Sequence, residues 1–150
     1  MIALLQRVLS ASVTIDEQEV AKIEKGILLF LGITHSDTQD DIEWLVKKII
    51  SLRIFPDEEG KMNKDIKEVN GEMLVVSQFT LHASTKKGNR PSFIESAHPE
   101  MAQFFYQLFI EKLQIELGKS VSSGKFGADM KVELINDGPV TIILDSKNKR

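Results

Sequence analysis

The sequence of 150 residues holds no cysteine, only three histidines, and one tryptophan and one tyrosine. Without cysteine there is no disulfide framework, no thiolate-ligated zinc or iron–sulfur site and no thiol nucleophile. The absence fits a reducing compartment, so the cytoplasm is the expected location. His35, His82 and His98 lie far apart and form neither an HxxxH nor an HExxH pair, so no metal site is expected. No apolar run approaches the ~18 residues of a membrane span. The opening Met1–Val8 carries Gln6 and Arg7 inside its apolar stretch, unlike a signal peptide. A G-x-S-x-G elbow is missing. Gly124 and Gly127 flank Phe126 with no Lys-Ser helix start behind them, so no phosphate-cradling loop is present. Carboxylates abound, but in solvated clusters such as Asp37–Glu43 and Asp57–Glu59 whose spacing selects no acid–base pair. With 19 Lys and Arg against 22 Asp and Glu, the net charge of −3 argues against coating nucleic acid by bulk charge.

What is present reads as one domain, residues 1–150. No linker, repeat or low-complexity stretch interrupts it, and a chain of this length buries roughly two thirds of its unfolded surface. Ile2–Val8 and Ala11–Ile15 are short β-type runs, and Glu19–Ile23 pairs back across an Asp16-Glu17-Gln18 turn. Ile27–Leu31 is continuously apolar, as in a strand buried on both faces. In Asp40–Leu52, Ile42, Leu45, Val46, Ile49 and Ile50 follow helical spacing, with Thr38 or Ser36 as cap. A second helix runs from Pro99 to about Leu117, stopped by Gly118, with Met101, Phe104, Phe105, Leu108, Phe109 and Leu113 as its core face. Asp57–Gly60 is a polar turn, Met73–Val76 a strand, and Val132–Ile135 and Val140–Leu144 a final hairpin. The expected class is α+β: a mostly antiparallel sheet or barrel-like core of about seven strands, built from hairpins, with two amphipathic helices.

Three segments ask for more than a fold. In Ser77-Gln78-Phe79-Thr80-Leu81 a buried strand ends abruptly in hydrogen-bonding side chains. It is either a strand end with one polar face or a ledge whose backbone N–H groups and hydroxyls meet a ligand and stabilise an oxyanion. Thr80 is a candidate nucleophile, although no neighbouring base is visible to activate it. Asn136-Asp137-Gly138-Pro139-Val140-Thr141 suits a hairpin turn. Proline directly before a strand is less routine, a Gly-Pro bond can be cis, and the glycine lets a ligand approach the backbone. Lys86-Lys87-Gly88-Asn89-Arg90-Pro91-Ser92-Phe93 is either a solvated loop or one that faces phosphate. Lys147–Arg150 adds three charges on a tail expected to fray.

At these residues the sequence resembles the D-aminoacyl-tRNA deacylase family. Ser77–Leu81 resembles its SQFTL motif and Asn136–Thr141 its NxGPxT motif. The similarity extends through Leu4–Val8, the Lys87–Phe93 loop and Gly124–Met130. The intact SQFTL form is similar to the bacterial and eukaryotic type, not to animal relatives that alter it. His82 departs from the pattern, since an apolar residue is more usual after Leu81. The resemblance implies a cofactor-free hydrolase that cleaves the ester between a D-amino acid, or glycine mischarged on alanine tRNA, and the terminal adenosine of tRNA. It implies a homodimer in which Gly138-Pro139 of one subunit enters the other's active site and excludes L side chains. Backbone groups of Gln78, Phe79 and Thr80, beside Ser77, would hold the adenosine and the ester. Phe126 and Met130 would line the adenine pocket, and Arg7 would fix the Gly-Pro element. Two other classes stay open on the residues alone: a non-catalytic tRNA-binding module using the Lys86–Arg90 loop, and a general small-ester hydrolase.

Overall fold

Strand β1 (Ile2–Ile15) organises the molecule. In the computed structural model, which describes residues 1–149, it is one strand where the pattern suggests two. The expected break at Leu9–Ser10 is instead a change of neighbours. Ile2–Val8 pairs antiparallel with β3 (Gly26–Gly32), and Ala11–Ile15 pairs antiparallel with β2 (Gln18–Ile23). The other edge of β1 carries β8 (Lys131–Asp145) from Ile2 to Thr14, which satisfies the backbone through the break.

Beyond β3 the sheet adds β6 (Glu72–Ser77) and β7 (Ser122–Ser123), both in parallel. The order β2-β1-β3-β6-β7, with β8 also on β1, gives a mixed sheet that curls toward a barrel. A small ribbon, β4 (Phe55–Pro56) with β5 (Met62–Lys64), encloses the Asp57–Gly60 turn. The α+β class is as expected, but not every strand arrives by a hairpin. Parallel neighbours need crossovers. Helix α1 (Gln39–Ile50) lies between β3 and β6, and α2 (Pro99–Leu117) between β6 and β7. An apolar run does not say which strand it will lie beside, so this pairing escapes a reading by pattern.

Strand β3 separates two cores. Ile27, Leu29 and Leu31 face the helices, while Leu28 joins Val8, Val13, Leu74 and Val76 on the opposite face. In α1 the five spaced residues Ile42, Leu45, Val46, Ile49 and Ile50 are all buried. Thr38 is its cap: the Asp41 carboxylate accepts from the Thr38 N–H at 2.8 Å and from its hydroxyl at 3.1 Å. The face of α2 differs from expectation. Phe109 and Leu113 are buried, but Phe104 is 60% exposed and Met101, Phe105 and Leu108 are half-buried. The buried stripe is Ala102, Tyr106, Phe109, Ile110, Leu113 and Leu117, which uses a small residue and a tyrosine that a count of strong hydrophobes passes over.

The final hairpin is not formed. Both halves of β8 pair with β1 in the same direction: Ile135 lies opposite Ser10 and Thr141 opposite Gln6. Between the Val8–Asn136 and Gln6–Thr141 pairs, Asp137 to Val140 stand against Arg7 alone. The segment is therefore a wide bulge. Residues that make a tight turn also suit a bulge, and β1 is long enough to serve both halves. The tail is also tied down rather than frayed. Lys147 Nζ donates to Asp41 at 2.7 Å and to the Ser36 carbonyl at 2.9 Å, and the Lys149 ammonium lies 5.0 Å from the centre of the Trp44 ring. Arg150 lies outside the described residues.

Candidate functional site

The sheet's last register position on β6 is Ser77, opposite Leu31. The Gln78 N–H still donates to the Leu31 carbonyl at 2.8 Å, after which the chain tightens into a 3₁₀ turn, Phe79–His82. Gly32 lies beneath this ledge. A Cβ there would sit 3.0 Å from the Gln78 oxygen and from Leu81 Cβ, and 3.1 Å from His82 Cδ2. The glycine thus lets the ledge pack directly onto the end of β3. The first N–H groups of a helical turn have no partner within it. Accordingly the Phe79 and Thr80 N–H groups have no intramolecular acceptor among the described residues.

The ledge forms one wall of a cleft of about 580 Å³. Its lining includes Ser77, Gln78 and Phe79, the pair Phe126 and Met130, and His98 and Pro99 at the start of α2. Phe126 is held from below. The Gly124 N–H donates to the Val75 carbonyl at 3.0 Å, and the Tyr106 hydroxyl donates to the same oxygen at 2.8 Å. The Tyr106 ring lies 5.9 Å from that of Phe126. Burial pushes the Tyr106 hydroxyl well above the ordinary phenol range, so it remains a donor at any physiological pH. Met130 lies over Gly124, where a Cβ would come within 2.5 Å of its sulfur.

At the mouth, Phe79 and Phe93 meet edge to face, 5.1 Å between centroids. Ser96 Oγ donates to the Phe79 carbonyl at 3.0 Å, and the Ala97 N–H to the Ile33 carbonyl at 2.9 Å. A reciprocal backbone pair between Ser84 and Ser92, at 2.8 and 2.9 Å, clasps the base of the basic loop.

Arg7, Gly138 and Pro139 are elsewhere. Arg7 is buried on β1; its Nε donates to the Asp137 carbonyl at 3.1 Å and lies 3.0 Å from Asp137 Oδ2, while Nη1 donates to the Ile54 carbonyl at 2.5 Å. It therefore grips the bulge one residue before Gly138, not at the Gly138 or Pro139 carbonyls. The Gly138-Pro139 bond is cis. Gly138 has a φ of 131°, and a Cβ on it would come within 2.8 Å of Val140 and 3.1 Å of Arg7 Nη2. Asn136 Oδ1 accepts from the Val140 N–H at 3.0 Å and closes the bulge, leaving Gly138 and Pro139 exposed.

The model of the family described as D-Tyr-tRNA(Tyr) deacylase matches residues 4–145. The chain belongs to the D-Tyr-tRNA(Tyr) deacylase family. It is 62% identical over 149 residues to a D-aminoacyl-tRNA deacylase of Flavobacterium psychrophilum, covering 99% of both chains. To the D-aminoacyl-tRNA deacylase of Cytophaga hutchinsonii it is 61% identical over 150 residues, covering 100% of both. Among solved structures it is similar to a c-Myc DNA unwinding element binding protein, with a TM-score of 0.90, 45% identity, and 97% and 98% of the two chains covered. A probable eukaryotic D-amino acid tRNA deacylase, 16% identical with a TM-score of 0.83 over 95% and 97% of the chains, shares the fold.

Within this deacylase fold, one chain brings Ser77, Gln78, Phe79, Phe126 and Met130 to a single cleft. Thr80 stands just outside it, exposed, its hydroxyl accepting from the Gln78 side-chain amide. Arg7, Gly138 and Pro139 are not part of the cleft's lining. The bulge leaves between Gln6 and Val8, whereas the row through Ser77 and Leu31 reaches β1 at Ala3. Reading by motif missed Tyr106 and Ser96, which position Phe126 and Phe79. Tyr106 had a signal, the one tyrosine of the chain at helical spacing between Ala102 and Phe109; Ser96 had none. No helix among the described residues is long and apolar enough to cross a membrane.

Proposed function

We propose that this chain hydrolyses the ester between a D-amino acid, or glycine mischarged on alanine tRNA, and the 3′ adenosine of tRNA, and that it rejects L-aminoacyl esters. The observation that carries this reading is the cleft itself, lined by Phe79 with its acceptor-free N–H group and by the aromatic–thioether pair Phe126 and Met130, with the acceptor-free Thr80 N–H next in the chain at its edge. Phe126 and Met130 supply flat, polarisable surface for adenine. The N–H groups of Phe79 and Thr80 face the ester, where charge develops on the carbonyl oxygen as water adds. Donors in such a position stabilise an oxyanion, and losing one costs ~3–4 kcal/mol. The Gln78 N–H is already bonded to Leu31, so Gln78 contributes through its side chain and its place in the ledge. Water adds to the carbonyl carbon, the bond to the 3′ oxygen breaks, and that oxygen takes up a proton, with the neighbouring 2′-hydroxyl of the substrate assisting. The Thr80 hydroxyl is hydrogen-bonded to an amide, not to a base, which supports a backbone role over a nucleophilic one.

Chiral selection needs a second element, and the exposed Gly138-Pro139 bulge is its best candidate. Its distance from the cleft of its own chain favours a homodimer in which each bulge enters the partner's cleft. The Gly138 and Pro139 carbonyls then receive the substrate's α-amino group and leave no room for an L side chain, whereas glycine meets no clash. Arg7 braces the bulge from within the sheet. The test is release of labelled amino acid from D-tyrosyl-tRNA by the purified chain. Release supports the reading, and RNA binding without release replaces it by a binding module.

A further inference from the structure

Phe79 and Phe93, which both line the cleft, form an aromatic pair at its exposed rim. Phe79 is 58% exposed and Phe93 38%, although the two rings are held at a fixed edge-to-face angle of 74°. An edge-to-face contact occupies only one face of one ring, and the exposure that remains, largest at Phe79, leaves ring surface for a further stack. The pair is rigidly mounted: Ser96 holds the Phe79 carbonyl, and the Ser84–Ser92 pair fixes the chain just before Phe93. The loop clasped by that pair carries Lys86, Lys87 and Arg90, all exposed and none in an ion pair among the described residues. Flat rings beside uncommitted cations are what a single-stranded nucleic acid requires: a π-face for the base and positive charge for the backbone.

We propose that Phe79 and Phe93 form a stacking platform for the nucleotide immediately 5′ of the terminal adenosine, with Lys86, Lys87 and Arg90 neutralising the phosphates that follow. The proposal rests on the reading of the cleft as the adenosine site and extends it by one nucleotide. It explains why a chain of net charge −3 can select an RNA end: contact is confined to one rim and needs no bulk charge.

The test uses non-hydrolysable 3′-(D-aminoacylamino) analogues built on adenosine alone, on cytidylyl-adenosine, and on an abasic nucleotide joined to adenosine. Each is titrated calorimetrically onto the full chain. The added cytidine should tighten binding by about 5- to 150-fold, the range of one base–aromatic stack, and the abasic analogue should lose most of that gain. In Phe93→Leu, which keeps an apolar contact with Phe79 but removes a π-face, the ratio of the first two affinities should fall toward one. Replacing Lys86, Lys87 and Arg90 together by alanine should flatten the salt dependence for longer RNA ends. An abasic analogue that binds as tightly as the cytidine one overturns the platform, as does a ratio unchanged in Phe93→Leu. If no analogue binds at all, the adenosine reading of the cleft fails, and the platform with it.

Discussion

Thr80 is the residue at which two mechanisms part. Its hydroxyl is exposed and accepts from the Gln78 amide, and no hydrogen bond to a His, Asp, Glu or Lys side chain reaches it among the described residues. A nucleophilic hydroxyl needs a base, and its removal would cost several orders of magnitude. A residue that serves through its N–H tolerates loss of the side chain. Thr80→Ala is therefore expected to keep turnover within about tenfold of wild type, the loss of one ordinary hydrogen bond, in single-turnover deacylation. A fall of several orders of magnitude in a folded variant would assign Thr80 the chemistry. Ser77, Gln78 and Thr80, interrupted by Phe79, were legible as a group because polar side chains end a buried apolar strand there. That the Gln78 N–H is committed to Leu31 was not, because it depends on how far β3 runs beside β6.

At the scale of elements, the site is a consequence of where strands stop. Gly32 ends β3 and lets the Gln78–His82 turn settle on it, with contacts at 3.0–3.1 Å from an added Cβ. Separations of that size require the neighbours to move by a few tenths of an ångström, and all three belong to the Gln78–His82 turn that orients the N–H donors. Gly32→Ala should therefore lower kcat/KM by about tenfold or more, in line with the cost of misplacing catalytic groups, while the protein still folds. An unchanged rate would mean that ledge geometry does not matter. The same scale separates what the sequence shows from what it hides. Helix α1 was legible because its five apolar residues repeat at helical spacing. The bulge was read as a hairpin because Asn-Asp-Gly-Pro has the same local chemistry in both settings, and only the length of β1 decides between them.

The whole molecule is closed by its ends. Lys147, near the C-terminus, meets Asp41 at the cap of α1, close to the buried pair of the Met1 amino group with Asp37. Burial opposes ionisation of Asp41, but the bonds from Lys147, Ser146 and Thr38 outweigh it and hold the carboxyl well below its ordinary 3.8. The bond to Asp41 likewise raises Lys147 above its ordinary 10.5, against an opposing desolvation cost. A lowered carboxyl stabilises the fold above pH 3.8 and loses that contribution as pH falls through its native value. A raised amine stabilises below pH 10.5 and loses its contribution above it. Asp41→Asn should thus cost about 1 kcal/mol near pH 7, given a pair that is partly exposed but also part of a helix cap. In urea unfolding this penalty should shrink below about pH 4. A penalty constant from pH 7 to pH 2.5 would show that the charge of Asp41 is not what matters.

The chain as a whole is read as a chiral filter for esters at an RNA end, with a backbone ledge for chemistry and an exposed Gly-Pro bulge for selection. The most direct measurement is the initial rate of deacylation of D-tyrosyl-tRNA against L-tyrosyl-tRNA at equal concentrations of the wild-type chain. The D-ester should be hydrolysed at least about a hundredfold faster, as expected when exclusion is steric and not a matter of one lost contact. Equal rates on the two esters, or release from neither, would contradict it.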